Sequence, residues 1–262
     1  MQQPFSLGFT LTARNVAGQR TRNYFGAFAS SSLLLQAENA DNAVDLTSRL
    51  SSSGFGSWAL GQQNFNTTEL RLNRQSSGAA DGPYSQLTVA LNVLALDSSP
   101  VAAADTNVTN SNCAADNSCN AAALLLTDIR YGRLLMANGY GPEFDDLPVN
   151  LTAEYWDGSR FLTNSADNCS LIELANLNLS NSLTSAAANA ALLSSGKTPV
   201  QGLLLLAPGE TGSVDATYQV PVWLQYDWTG DASYTNSPVA EFIFGRYRGN
   251  PRQIYWRERF NN

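Results

Sequence analysis

The sequence predicts an all-β protein made of two immunoglobulin-like β-sandwich domains in tandem. Three observations carry that expectation. Apolar residues alternate with polar ones at period two along most of the chain, and clusters of Gly, Asn, Asp and Pro break those runs at short intervals. The length, 262 residues, exceeds what one small domain needs and is enough for two ordinary cores.

Taken in order, Leu7, Phe9, Leu11 and Ala13 alternate with Gly8, Thr10 and Thr12. NVAG then offers a turn and RTRNYFGAF a return strand, so the chain is expected to open on a hairpin. TELRLNR (Leu70, Leu72) and SQLTVALNVLAL (Leu87, Val89, Leu91, Val93) follow the same pattern, as does LPVNLTAEYW, where Val149, Leu151, Ala153 and Tyr155 share a face. QVPVWLQYDW sets Val220, Val222, Leu224, Tyr226 and Trp228 against Pro221, Trp223, Gln225 and Asp227, with the proline marking an edge strand or a strand start. SSSGFGS, SSGAADGPY, NGYGPEF, WDGSR, SSGKTP, APGETGS and WTGDAS are the breaks between them. The alanine-rich segment 180–197 is expected to be a loop or at most two helical turns. Ser98 to Asn120 is polar, acidic and Asn-rich, and reads as a linker or long loop. It places a first domain at residues 1–120 and a second at 121–262.

The final stretch, EFIFGRYRGNPRQIYWRERF (241–260), threads five arginines through six aromatic residues, the mixture of a surface that stacks bases and neutralises phosphates. The rest of the chain opposes that reading. The whole carries a net charge of -7 with a pI near 4.5, and phosphate neutralisation supplies most non-specific affinity for nucleic acid. With RGNPR as a turn, Glu241 to Arg248 and Gln253 to Phe260 become two strands of a hairpin that closes the second domain, its arginines laid over aromatic faces or paired with the acidic body.

Composition also limits chemistry. Histidine is absent, which removes Ser-His-Asp triads, Cys-His dyads and His-bearing zinc sites. Of three cysteines, Cys113 and Cys119 lie in NSNCAADNSCN, where a short disulfide-closed loop fits an oxidising compartment; Cys169 is then unpaired, or replaces one of the two. The single lysine, low charge content and abundance of Asn, Ser, Thr and Ala resemble secreted and cell-surface β-proteins. Neither a signal peptide nor an apolar run long enough to span a membrane is expected in this chain.

Glu143, Asp145 and Asp146 cluster in GPEFDDLP, and Glu154 and Asp157 flank Tyr155 and Trp156 in EYWDG. A glycosidase needs two carboxylates facing each other across a sugar, but both motifs also read as turns beside strands, and no enzymatic activity is expected. Cofactors are likewise not expected. Structural calcium has candidate oxygens in ENADNAVD, in ADTNVTNSNCAADNS and in DWTGD, none with the EF-hand spacing. Trp58, Trp156, Trp223 and Trp228 have faces that suit sugar rings, yet a tryptophan in an alternating strand belongs more often to packing. Trp58 is set apart by the glycine-rich GFGSW around it and is the first candidate for an exposed contact. Tyr247, Tyr255, Arg257 and Arg259, on the outward side of the expected hairpin, are the other candidate ligand or partner contacts.

DIRYGRLLMANGYGPEFDDLPVNLTAEYWDGSRFLTNSADNCS, LLLLAPGETGSVDATYQVPVWLQYDW and FGRYRGNPRQIYWRERF, preceded by FTLTARNVAGQRTRNYFGAFA and GPYSQLTVAL, together resemble the C-terminal region of MshQ, a protein of MSHA type IV pilus biogenesis, and related bacterial surface proteins. The CAADNSC loop and Pro251 after RGN depart from that pattern. The resemblance implies an extracellular or cell-surface location in the bacterial envelope. It also implies pilus or envelope protein components, or other domains of a larger surface protein, as partners. The expected function is a structural or interaction module working by surface complementarity, including strand addition at an exposed edge. The alternative is a lectin-like module that contacts surface glycans directly.

Overall fold

The computed structural model describes residues 1–29, 32–39, 44–94, 122–189 and 191–245. Among them every regular element is a β-strand or a single turn of 3-10 helix, as the period-two patterning predicts. The chain forms two compact units that interleave in sequence: residues 1–133, 154–163 and 221–236 make the first, and 134–153, 164–220 and 237–262 the second.

The first unit contains β1 (Phe5–Thr12), β2 (Ser32–Asn39), β3 (Val44–Asp45), β4 (Leu50–Ser51), β5 (Gln62–Leu72), β6 (Tyr84–Leu94) and β7 (Ala122–Ile129). They form two sheets, ordered β1-β5-β4 and β3-β2-β6-β7. Leu7, Phe65 and Leu70 of the first sheet pack against Leu35, Val89 and Leu91 of the second, which makes this unit a β-sandwich. A second cluster joins Leu46, Leu72, Tyr84, Leu87 and Tyr131. Leu70, Leu72, Leu87, Val89 and Leu91 are all buried, on the faces that alternation assigned to them.

From there the chain continues through β8 (Gly132–Met136), β9 (Gly139–Gly141), β10 (Leu147–Pro148), β11 (Leu151–Trp156), β12 (Phe161–Thr163), β13 (Leu171–Ile172), β14 (Leu177–Leu179), β15 (Ala186–Ala188), β16 (Ala191–Leu192), β17 (Leu203–Leu205), β18 (Gly212–Tyr218) and β19 (Val239–Phe244). The sheets run β12-β11-β8, β13-β16, β10-β17-β15 and β14-β18-β19-β9. In the second unit Val214 and Ala216 of β18 and Phe242 and Phe244 of β19 are buried, as are Leu147, Leu203 and Leu205 of the β10-β17-β15 sheet. β9 lies parallel to β19, and its glycines make the close approach feasible. A Cβ on Gly139 would come 2.3 Å from the Phe242 ring, and one on Gly141 2.3 Å from Leu147.

Three expectations meet a different structure. RTRNYFGAF is not a full return strand: the chain folds back only as far as an isolated antiparallel bridge between Arg14 and Arg20, β1 pairs with β5 instead, from Phe5↔Leu70 to Thr12↔Gln62, and a 3-10 turn follows at Gly26–Phe28. QVPVWLQYDW is not a strand either. After Pro221, which lacks a ladder N–H, the backbone folds into a 3-10 turn at Val222–Leu224 and leaves Val222 exposed. The alanine-rich segment supplies strands rather than a helix, because Ala186–Ala188 pair with Leu203–Leu205 and tertiary pairing overrides a weak helical preference. Of the expected C-terminal hairpin only the start of the first strand is described: over Phe242–Phe244, β19 is flanked by β18 on one side and β9 on the other. Residues 246–262, which hold the other half of that hairpin, lie outside the described residues.

Because Phe242 is fully buried between two strands, Phe242→Ala is expected to cost about 3–5 kcal/mol. Chemical denaturation would check this; a loss under about 1 kcal/mol would show that the β18-β19-β9 layer is not a close-packed core.

Candidate functional site

The most exposed apolar surface of the first unit lies where β1 ends and β5 begins. Thr12 and Gln62 are partners in the ladder, so the loop 13–29 and the turn 55–61 leave the sheet at the same end. Asn15 shapes the first part of the loop: its Oδ1 accepts from Ala17 N (3.0 Å) and Gln19 N (2.9 Å), an Asx-type turn that confirms the NVAG expectation. The loop is then fastened to the turn. Ala13 N donates to Gly61 O (2.9 Å), Thr21 N to Ala13 O (2.9 Å) and Gly61 N to Tyr24 O (3.1 Å). Arg20 adds Nε to Leu60 O (2.8 Å) and Nη1 to Gln62 Oε1 (2.7 Å), and Arg14 Nη1 donates to Gly18 O (2.7 Å).

This frame holds unusual backbone. Gly61 has φ +75°, and a Cβ there would come 2.1 Å from Thr21 O. Leu60 has φ +49°, a left-handed conformation that costs a branched side chain about 1–3 kcal/mol and persists where surrounding bonds enforce it. What the frame presents to solvent is apolar: Val16 is 111% exposed, Phe28 75%, Leu60 56% and Phe25 45%. Around them stand Arg14, Arg20 and Arg22, all exposed, with no acidic residue anywhere from Met1 to Ala37. Arg22 meets no partner among the described residues, and none of the three arginines pairs there with a carboxylate.

Trp58, the exposed contact expected from GFGSW, sits beside this surface but is half-buried. Its indole packs edge-on against Tyr24 at 4.9 Å and 90°, supporting the loop from beneath. Val16, Phe25, Phe28 and Leu60 were missed in the sequence. The signal that was available is the run of three arginines without a carboxylate around FGAF.

Other arginine and aromatic residues of this unit are engaged with one another in its interior. Arg74 donates to Gly132 O (2.8 Å), Trp223 O (2.9 Å), Gln225 O (2.7 Å) and the Tyr131 hydroxyl (3.1 Å), with its guanidinium 4.0 Å from the Tyr131 ring centre. Burial, opposed by the Arg74 charge, pushes the Tyr131 phenol up to about 12, and its hydroxyl donates to Gly78 O (2.7 Å). Arg133 lies 3.7 Å over Phe161, 4.8 Å from Tyr226 and 4.9 Å from Trp228, while pairing with Glu154 at 2.7 Å. Trp156 meets Phe161 edge-on at 5.3 Å. Trp223, half-buried, contributes its carbonyl to Arg74.

Three of the five carboxylates considered for hydrolysis, Asp146, Glu154 and Asp157, have structural partners. Glu154 is held by Arg133. Asp157 Oδ1 accepts from Ser159 N, Ser159 Oγ and Arg160 N, and these bonds, that from Arg160 N foremost, hold its carboxyl below the usual range. Asp146 Oδ1 accepts from Ala207 N (2.8 Å). In DWTGD, one of the stretches considered for calcium, Asp227 receives the amides of Gly230, Asp231 and Ala232, an arrangement of donors rather than of cation ligands. Among the described residues no group of three or more acidic or thiol side chains is placed to hold a metal. Cys169 is an exposed free thiol; Cys113, Cys119, Tyr247, Tyr255, Arg257 and Arg259 lie outside the described residues.

Fold and site define a β-sandwich protein with a rigid, basic and apolar loop end. Residues 1–123 match the third domain of the DUF6701 family and residues 130–259 its fourth domain, and the chain belongs to that family. No curated protein matches it in sequence. Among solved structures it is similar to FdeC, a broadly conserved Escherichia coli adhesin, at 14% identity and a TM-score of 0.31, covering 93% of this chain and 60% of that one. The D0-D1 domain of intimin is similar at 11% identity and a TM-score of 0.21, covering 92% and 90%. Likenesses this distant carry no argument about fold or function. The chain spans 60% of the FdeC chain's length.

Arg74→Ala is expected to destabilise the protein by about 3–5 kcal/mol, since it leaves buried carbonyls without donors. Arg74→Lys would recover only part, because an ammonium cannot span the fork of acceptors; full recovery in urea melts would show that charge alone matters. The carboxyl carbon of Asp157 is expected to titrate in NMR below an ordinary aspartate. Its stabilising contribution is then present above the unfolded value and lost as pH falls through the folded one. Titration at the ordinary position would mean that the turn does not persist in solution.

Proposed function

We propose that this chain is a non-enzymatic interaction module of an extracellular bacterial surface protein associated with a type IV pilus, MshQ-like in its domain sequence. The observation that carries the reading is the loop end of the first unit. Exposed Val16, Phe25, Phe28 and Leu60 stand on a hydrogen-bonded frame that keeps Leu60 in a strained backbone conformation, and strain held at a surface position is characteristic of contact sites. Isolated exposed apolar residues are ordinary, but here four stand on two loops that are hydrogen-bonded to each other. The structural engagement of Glu154, Asp157 and Asp146 supports the non-enzymatic part. The order of motifs from FTLTARN to IYWRE supports the pilus-associated context, with pilus or envelope components as partners and a cell-surface location. No helix among the described residues is long and apolar enough to cross a membrane.

In the bacterium that makes the full-length protein, replacing Val16 and Phe28 by Ser and Arg22 by Gln is expected to lower adhesion or pilus number while surface display stays normal. Unchanged adhesion and pilus number would overturn the reading. A glycan array run with the same chain separates the lectin alternative: saturable binding abolished by Trp58→Ala and kept by Val16→Ser with Phe28→Ser would favour direct sugar recognition over contact through the loop end.

A further inference from the structure

We propose that the loop end of the first unit docks on an anionic lipid surface. The inference rests on reading that end as a contact site and names its partner. Two properties select the class. The first is charge: Arg14, Arg20 and Arg22 are exposed without a carboxylate partner, and no acidic residue occurs before Glu38, although the whole chain is at -7. A local excess of positive charge on an acidic protein directs this end, and not the body, toward a negative partner. The second is the chemistry of the apolar groups. Val16, Phe25, Phe28 and Leu60 are aliphatic or phenyl side chains without a polar tip. Sugar faces are met mainly by indole and phenol rings that can also hydrogen-bond, and the one indole here, Trp58, is packed beneath the loop on Tyr24. Apolar groups without a polar tip, carried on arginine-bearing loops, instead suit the headgroup boundary, where the side chains enter the acyl region and guanidiniums meet phosphates.

The frame suits that use. Arg20 and Arg14 bridge loop carbonyls through part of their guanidinium groups, which fixes their positions while leaving other N–H groups for phosphate oxygens. Arg22 has no partner among the described residues. Because the loop is already fastened to the β1–β5 end by Ala13, Thr21, Tyr24 and Gly61, docking orders little further chain.

The test is sedimentation of the chain with vesicles of phosphatidylcholine alone and of phosphatidylcholine with phosphatidylglycerol. Binding is expected only to the anionic vesicles, and it should weaken as salt rises from 0.1 M to about 1 M, where the screening length falls to roughly 3 Å. Arg22→Gln is expected to lower the partition coefficient about fivefold, and Val16→Ser with Phe28→Ser by about tenfold or more. All three positions are exposed, and an unchanged thermal melt would show that the variants fold. The proposal is overturned by equal binding to neutral and anionic vesicles, by anionic binding that the variants leave unchanged, or by no vesicle binding. It also falls if the chain binds a soluble acidic polysaccharide such as polygalacturonate and no vesicle. If vesicle binding fails while adhesion in cells still depends on Val16, Arg22 and Phe28, only the lipid partner is lost. If adhesion is indifferent to them too, the contact reading itself falls.

Discussion

The first unit depends on a buried guanidinium. Arg74 leaves the end of β5 and points into the interior, where it holds the carbonyls of Gly132, Trp223 and Gln225 and the hydroxyl of Tyr131. Three stretches far apart in sequence therefore meet at one side chain. Burial works against its positive charge, and carbonyl dipoles together with the Tyr131 π-face compensate for the lost water. Its Nε–H has no acceptor among the described residues. The hold on Trp223 and Gln225 accounts for a local feature of the fold: after Pro221 those carbonyls serve Arg74 and not a strand ladder.

The same chemistry recurs at Arg133, stacked on Phe161 and close to Tyr226 and Trp228 while paired with Glu154. At Arg49 a bond to Asp81 (2.5 Å) and one to Tyr84 (3.1 Å) do similar work. Arginines and aromatics are thus the internal fasteners of this unit, more than a surface decoration. That contrast gives the loop end its meaning. Arg14, Arg20 and Arg22 share the loop 13–29 with Phe25 and Phe28, without a carboxylate partner and with the apolar side chains exposed. Position, and not composition, separates the two uses.

Much of the fold was legible because a strand writes its buried face at every second residue. Leu70 and Leu72, Leu87, Val89 and Leu91, and Val149, Leu151 and Ala153 are buried where alternation placed them. The failures share one cause. RTRNYFGAF and QVPVWLQYDW have strand-like composition, but the edges they would have used belong to β5 in one case, and in the other the backbone is committed to Arg74. The alanines near 186–188 look helical locally and become a strand because β17 offers an open edge. Trp58 pointed to the right neighbourhood and to the wrong side chain, since a glycine-rich loop signals a turn without saying which of its residues faces in.

The sequence by itself determined the all-β class, most of the buried strand faces, the Asn15 turn and the exclusion of histidine chemistry, because each depends on residue type and near-neighbour spacing. Only the tertiary structure decided which strands pair, that three separate segments build the first unit, and that Val16, Phe25, Phe28 and Leu60 face solvent while Trp58 is half-buried. Those outcomes depend on which long-range partner reaches a given edge or carbonyl first, and local pattern carries no record of that competition.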